Sequence, residues 1–385
     1  MNYELFDVLV VGGGPAGSAL SLRLARAGCS VALLERTGYG EFRVGESLPP
    51  SAVPRLVRLG VWEAFLQTQP AAVYGVQSAW GSADLDSSSF LTHPYLNGWH
   101  VDRSRFDGML SASAADAGTH VFNRTTACTV QRDRQGTWSV EAASPRGEIH
   151  LRARFLVDAS GRSGRLCTRL GVRRHSVDRM VGIAVTCSEL CSDDVLPSLI
   201  EARPLGWWYS AGLPSGSGRA IVVFFTDSDI CARGGFAGSD GWRRLLDESQ
   251  HTRHRLKGCL FSAKARVFPS GTHALDRATG DLWVAIGDAL TGRDPLSSSG
   301  IDFALASAER ANELLHALAN GASDSARAYN AGVQSDFANY LAQRSAYYAL
   351  EDRWQDSPFW QRRQNQNHLR ATADWVPELD SNLQS

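Results

Sequence analysis

Glu46, in the segment RVGESLPP at residues 43–50, and His93 and His100 further along are candidate groups for taking and returning a proton near neutrality. Proton transfer alone defines no reaction, and a second set of residues points to its setting. Residues 7–11, DVLVV, run straight into GGGPAGSALSLRLARAG. Gly12, Gly14 and Gly17 are spaced for a tight turn, close approach of backbone to a pyrophosphate, and close helix-to-strand packing. Pro15 and Ala16 open the helix that follows, whose free N–H groups and dipole favour phosphate. Glu35 ends the next apolar run, SVALLE, where a carboxylate accepts from ribose hydroxyls and disfavours a 2′-phosphate; Arg36 follows it.

Two distant segments decide which dinucleotide. RFLVDASGRSGRL, residues 154–166, ends an apolar approach at Asp158 before the turn at Gly161. From residue 281, DLWVAIGDALTGRDPLSSSGIDFALA ends a strand at Gly287–Asp288 and opens a helix near Ser299 or Gly300. A carboxylate at a strand end beside a glycine suits the hydroxyls of a sugar-alcohol chain. A helix N-terminus after Pro295 offers N–H groups to the negative edge of a reduced flavin. A nicotinamide dinucleotide needs neither, so the cofactor reads as FAD.

On these residues the chain resembles the p-hydroxybenzoate hydroxylase-type FAD superfamily, and within it the flavin-dependent tryptophan halogenase-like branch. The blocks that carry the resemblance are GGGPAGSALSLRLARAG, RVGESLPPS, GVQSAWGS, GWHVDRSRFDGML, LVDASGRSGR, GWWYSAGLP, AIGDALTGRDPLSSSGIDFAL and YYALEDRWQDSPFWQRR, spread over nearly the whole chain. The resemblance implies FAD contacts from Gly12, Gly14, Gly17 and Glu35. It also implies Arg43 and Arg103 near the phosphates or the flavin, with Ser47 in the same loop. Asp158 would orient its turn or touch the cofactor, Gly287 and Asp288 would meet the ribityl chain, and Pro295, Ser299, Gly300 and Ile301 would underlie the isoalloxazine. RVGESLPP would cover one side of that ring, with Glu46 near the reaction chamber.

The expected fold is α/β: a Rossmann-like FAD-binding domain of p-hydroxybenzoate hydroxylase type, with a β-sheet substrate domain and a C-terminal helical segment. A chain of 385 residues exceeds one simple core. Residues 1–72, 100–175 and 275–335 are expected to build the FAD domain. Residues 73–99 and 176–274 would form the substrate domain, and 336–385 the helical segment. In GWWYSAGLP, Trp207 and Tyr209 point to one face and Trp208 to the other, so one face lines a cavity and the other packs in the core. With Trp80 and Trp99, these three are the candidate substrate contacts.

A net charge of -1 gives no global field for nucleic acid or an anionic membrane, and no apolar run reaches the length of a membrane span. The N-terminus MNYE lacks a basic leader-like region. The seven cysteines are scattered, with only Cys187 and Cys191 close and no histidine cluster to complete a metal site. Free thiols and no leader together imply a cytoplasmic protein without a metal.

The resemblance implies either of two oxidations. Halogenases of this branch use a lysine on the strand after the GES-type loop to hold the electrophile. Residues 71–100 contain no lysine, and the chain has only Lys257 and Lys264, read as surface residues. GWWYSAGLP also departs from the halogenase WxWxIP block. The resulting expectation is a monooxygenase that hydroxylates an aromatic, indole- or tryptophan-like substrate through a flavin C4a-hydroperoxide. The substrate would be free, carrier-bound or a tryptophan within a partner protein, as in flavoproteins that mature tryptophan-derived quinone cofactors. The alternatives are a flavin-dependent halogenase, a reductase or dehydrogenase of the geranylgeranyl-reductase kind, and a non-catalytic flavin-binding partner. DASG replaces the NAD(P)H-responsive DG motif, leaving two electron sources open: NAD(P)H directly, or a separate flavin reductase.

Overall fold

The computed structural model describes residues 5–189, 196–214 and 218–364; the first four residues, Cys191 and the C-terminal segment beyond residue 364 lie outside the described residues. Strand β1 (Leu5–Val11) is the apolar run before the glycines, and Val8, Leu9 and Val10 are buried on both faces. That is what a central parallel strand covered on both sides requires. Helix α1 (Pro15–Arg26) buries Ala16, Ala19, Leu20, Leu22 and Leu24, and β2 (Val31–Glu35) returns parallel beside β1.

The GES loop contributes β3 (Ser47–Leu48), which pairs antiparallel with β4 (Gly98–His100). Helix α2 (Arg103–Asp116) starts where the Asp102 side chain accepts from the N–H groups of Ser104 and Arg105. Strand β5 (Gly147–Asp158) is parallel to β1 on the side away from β2.

A second sheet contains β6 (Ser198–Arg203), β7 (Gly206–Gly212) and β8 (Ala220–Asp227), followed by the short helix α3 (His251–Arg255). Strand β9 (Trp283–Ala285) then rejoins the first sheet next to β5. Helices α4 (Gly300–Ala319), α5 (Asp324–Ala349) and α6 (Pro358–Gln364) complete the described chain.

The register of the first sheet positions the cofactor motifs. Val11 lies opposite Asp158, and Asp158 opposite Ala285. Three parallel strands therefore end in one row, and Gly12, Ala159 and Gly287 emerge together at their carboxyl ends, where open α/β sheets bind ligands. The turns touch: a Cβ on Gly12 would lie 2.2 Å from Ala159 O, and one on Gly287 would lie 2.9 Å from Ala16 Cβ.

The second sheet draws on residues 75–89 and 180–269. Its core, around Ile183, Trp207, Trp208, Val222 and Phe224, also takes Tyr348, Phe359 and Trp360 from the C-terminal helices. Among the described residues, no helix is long and apolar enough to cross a membrane.

Candidate functional site

At the nucleotide end, Gly12 has φ +113°, a conformation that favours glycine, and Gly17 is packed so that a Cβ would sit 1.9 Å from Gly12 O. Gly14 differs: a Cβ there would meet nothing within 4 Å. Space lies in front of the N-terminus of α1, which has no side-chain cap. Gly300 is open in the same way, at the uncapped N-terminus of the 20-residue helix α4. Two long helices thus present unclaimed N–H groups at the strand ends, an arrangement that fits a pyrophosphate at one and the electron-rich edge of a flavin at the other. The residues present therefore fit FAD.

Glu35 is buried at the end of β2, and its carboxylate accepts from Gly13 N (2.8 Å), Thr37 N (2.9 Å), Thr37 Oγ1 (2.6 Å) and Arg43 Nη2 (2.9 Å). Arg43 spans from Glu35 to Asp107, donating to Asp107 Oδ2 at 2.8 Å. Arg103 grips the same Asp107 with two nitrogens at 3.0 Å and donates to Val44 O at 2.8 Å. Two guanidinium groups are thereby fixed by two carboxylates, so Arg43 belongs to the Glu35 side and Arg103 holds the backbone of the GES loop. The fields of Asp288 and Glu46 also reach Arg103. Arg36 is exposed beyond Glu35.

Asp158 acts within its turn: it accepts from Ser160 N (3.0 Å), Ser160 Oγ (2.6 Å) and Cys167 N (2.9 Å). Asp288 is half-buried after Gly287, with Arg162 Nε 3.2 Å away. Further along, Asp294 is buried and its Oδ1 accepts from Leu296 N at 3.0 Å, fixing the turn Pro295–Ser297 ahead of Ser299, Gly300 and Ile301.

A chain of buried polar groups joins the GES loop to the second sheet. The Tyr209 hydroxyl on β7 lies 2.7 Å from Ser47 Oγ, and it is near enough to the buried Glu46 carboxyl for each to shift the titration of the other. Ser47 Oγ is 3.1 Å from Ser198 Oγ on β6, and Ser198 Oγ is 3.0 Å from His100 Nε2 on β4. His100 Nδ1 is buried and has no hydrogen-bond partner among the described residues. Burial raises the Glu46 carboxyl above the usual carboxylate range, against the lowering effect of the Tyr209 hydroxyl and the backbone. Burial, with the nearby Arg255 charge, pulls His100 down to about 4, so its ring is neutral at pH 7. The Tyr209 phenol is raised well above its ordinary value, by burial and then by the Glu46 charge.

Three candidates lie away from this chain. His93 is in the surface turn after Phe90, where its Nδ1 accepts from Tyr95 N; the structure does not bring it to Glu46. Trp99 alternates with His100 on β4 and turns to Trp62 and Phe65, forming part of the first core. Trp208 is fully buried on the face of β7 away from Tyr209, against Phe224 and Trp242. The opposite directions of Trp207 and Trp208 were legible from strand alternation, but Trp207 is also fully buried, beneath Trp80 and Tyr348. Trp80 is partly buried and donates from Nε1 to Tyr347 O (2.8 Å).

Sequence reasoning missed Asp107, Ser198 and Asp294. Asp107 stands four residues after Arg103 in a helical stretch, and Asp294 precedes a proline at a helix start; both spacings were usable signals. Ser198 carried none. Lys257 and Lys264 are exposed, as expected of surface residues.

The FAD binding domain family matches residues 5–329. A protein of Marinomonas mediterranea classed as an FAD-dependent oxidoreductase, LodB, is 31% identical over 94% of this chain and 97% of its own length. The 1H-pyrrole-2-carbonyl-(peptidyl-carrier protein) chlorinase of Pseudomonas fluorescens is 28% identical, covering 91% of this chain and 85% of its own. The myxobacterial chondrochloren halogenase CndH has a similar structure, with a TM-score of 0.85 at 23% identity over 97% of this chain and 91% of that one. The peptidyl tryptophan dihydroxylase QhpG, of tryptophylquinone cofactor biogenesis, has a TM-score of 0.73 at 23% identity over 94% and 79%. At such identities the two structures establish the fold alone.

Proposed function

The chain belongs to the FAD-binding-domain family, as an FAD-dependent oxidoreductase of the p-hydroxybenzoate hydroxylase type, and from that premise we propose that it is a monooxygenase hydroxylating an aromatic, indole-like substrate. The observation that carries this reading is the composition of the seam between the GES loop and the second sheet. It is furnished with three hydroxyls and a neutral imidazole in hydrogen-bonded series, with a buried carboxyl beside the first of them, while both lysines of the chain are exposed. Such a series holds and moves protons but offers no amine for an electrophilic halogen.

FAD, when bound and reduced, supplies the electrons and the activation of dioxygen. The strand-end turns and the N-termini of α1 and α4 would hold its phosphates and its ring, with Glu35 on the ribose and Asp288 towards the ribityl chain. Glu46, kept protonated to higher pH than an exposed glutamate, would lend its proton at the reaction chamber and be reprotonated from the Tyr209 hydroxyl. Ser47, Ser198 and His100 Nε2 would return one from the far end. On the same reading the FAD part comprises residues 1–72, 100–175 and 275–335, and the substrate part 73–99 and 176–274. Electrons would come from NAD(P)H directly or through a separate flavin reductase. The fold shared with QhpG supports a tryptophan within a partner protein as one form of substrate. The likeness to a carrier-protein chlorinase supports a carrier-bound aromatic as another.

That relative also favours a second reading, a flavin-dependent halogenase. The two separate by product mass. Tryptophan, a tryptophan peptide and a carrier-bound aromatic are each incubated with FAD, NAD(P)H and dioxygen, with and without a flavin reductase and with and without chloride or bromide. The expected product gains one or two oxygens whether or not halide is present. A product that forms only with halide and carries it establishes the halogenase instead.

A further inference from the structure

One face of α5 is built around the loop that leads into α4. Tyr340, Arg344 and Tyr348 recur at four-residue spacing, so their side chains stack along one side of the helix. All three reach Asp294. Asp294 N donates to the Tyr340 hydroxyl (2.5 Å), Arg344 Nε donates to Oδ2 (3.1 Å), and the Tyr348 hydroxyl donates to the same Oδ2 (2.8 Å). Oδ1 is taken by Leu296 N, so both oxygens of this buried carboxylate have partners.

The other atoms of this face reach the second sheet. Arg344 Nη2 pairs with Asp178 at 2.7 Å, just ahead of the strand Met180–Ser188. The Tyr348 hydroxyl accepts from Trp207 Nε1 on β7 at 3.2 Å. A buried cation meeting two carboxylates, with its remaining polar neighbours satisfied, sets geometry more strictly than apolar packing would. These helix residues lie beyond residue 329, where the FAD-binding-domain match ends.

We infer that the Tyr340–Arg344–Tyr348 face of α5 is a positioning element of the cofactor site: through Asp294 it sets the turn Pro295–Ser297 and the N-terminus of α4, and it ties that setting to the second sheet at Asp178 and Trp207. The inference rests on FAD lying at the α4 N-terminus. It does not depend on whether the product carries oxygen or halogen, so the product-mass experiment can fail without touching it.

The test uses the full chain with Tyr348→Phe and Arg344→Lys, each keeping the bulk of the side chain, and Arg310→Gln as control. Arg310 ties α4 to α5 through Asp336, without a contact to Asp294. FAD affinity is titrated by flavin fluorescence, the midpoint potential of bound FAD is measured, and apoprotein melting is followed by circular dichroism. In Tyr348→Phe and Arg344→Lys, the dissociation constant for FAD rises about tenfold, the equivalent of one charge-assisted hydrogen bond, and the midpoint potential falls. Arg310→Gln changes neither. Wild-type affinity and potential in both face variants would overturn the inference. So would an equal loss in Arg310→Gln, because the effect would then be general loosening of the helix pair. A variant that melts markedly lower without FAD is compared with Arg310→Gln at matched loss of stability, and only an excess change in potential supports the inference.

Discussion

Glu46, Tyr209 and His100 owe their chemistry to burial, and each titrates differently for that reason. Tyr209 is the link between the carboxyl and the two serines, so Tyr209→Phe should leave the packing intact and interrupt the series. Turnover is expected to fall about a hundredfold, the usual scale for a lost acid–base step, with KM for substrate little changed. Steady-state kinetics at saturating dioxygen would read this, and an unchanged turnover would remove the series from the mechanism. The histidine makes a separate prediction for stability. Its pKa drops from an ordinary 6.5 to about 4 in the fold, so the unfolded chain takes up the proton first as pH falls. Stability present above 6.5 is therefore lost as pH falls through about 4, by at most on the order of 3 kcal/mol from this residue. Glu46 acts with the opposite sign: its raised carboxyl favours the fold at low pH, and that contribution fades as pH rises through its folded pKa. Melting temperatures between pH 7 and 4 should decline less steeply in His100→Gln than in the wild type, and parallel curves would contradict the assignment. Glu46 and His100 were legible as titratable residues. Tyr209 was legible only as an aromatic, because its hydroxyl partners lie on β3 and β6, far away in sequence.

At the level of strands and helices, the cofactor cradle was largely readable because its logic is local. A buried strand, a glycine turn, a helix and a second strand ending in an acid occupy one short stretch, and each glycine has its own geometric cause. Those causes separate two substitutions. Gly17→Ala forces a Cβ into Gly12 O and should destabilise the apoprotein by at least about 2 kcal/mol, seen as a lower denaturation midpoint. Gly14→Ala meets no protein atom and should leave apoprotein stability within about 1 kcal/mol while weakening FAD binding at least about tenfold. Unchanged FAD affinity in Gly14→Ala would show that the space before α1 is not kept for a ligand. What was not readable is which face of an alternating strand stays open. Trp207 and Trp208 point apart as the period of a strand requires, yet α5 and α6 cover one and the helix containing Trp242 covers the other. Burial of Trp207 is decided by an element more than a hundred residues away.

Across the whole molecule, the GES loop meets the second of two eight-stranded sheets at a seam that carries Glu46, Tyr209 and Ser198, and a helix of the C-terminal layer fastens Asp294. The two-sheet division followed from three separated cofactor motifs with strand-rich segments between them. The contribution of α5 did not, since a polar-aromatic helix reads equally as a cap or as an entrance until its partners are known. On the proposed function, this seam moves protons for oxygen transfer to an aromatic ring. The decisive measurement supplies isotopically labelled dioxygen, with bromide present, to the reduced FAD-loaded enzyme and its aromatic substrate, and weighs the product. The expected product carries the labelled oxygen and no bromine; a brominated product without label would overturn the hydroxylase reading.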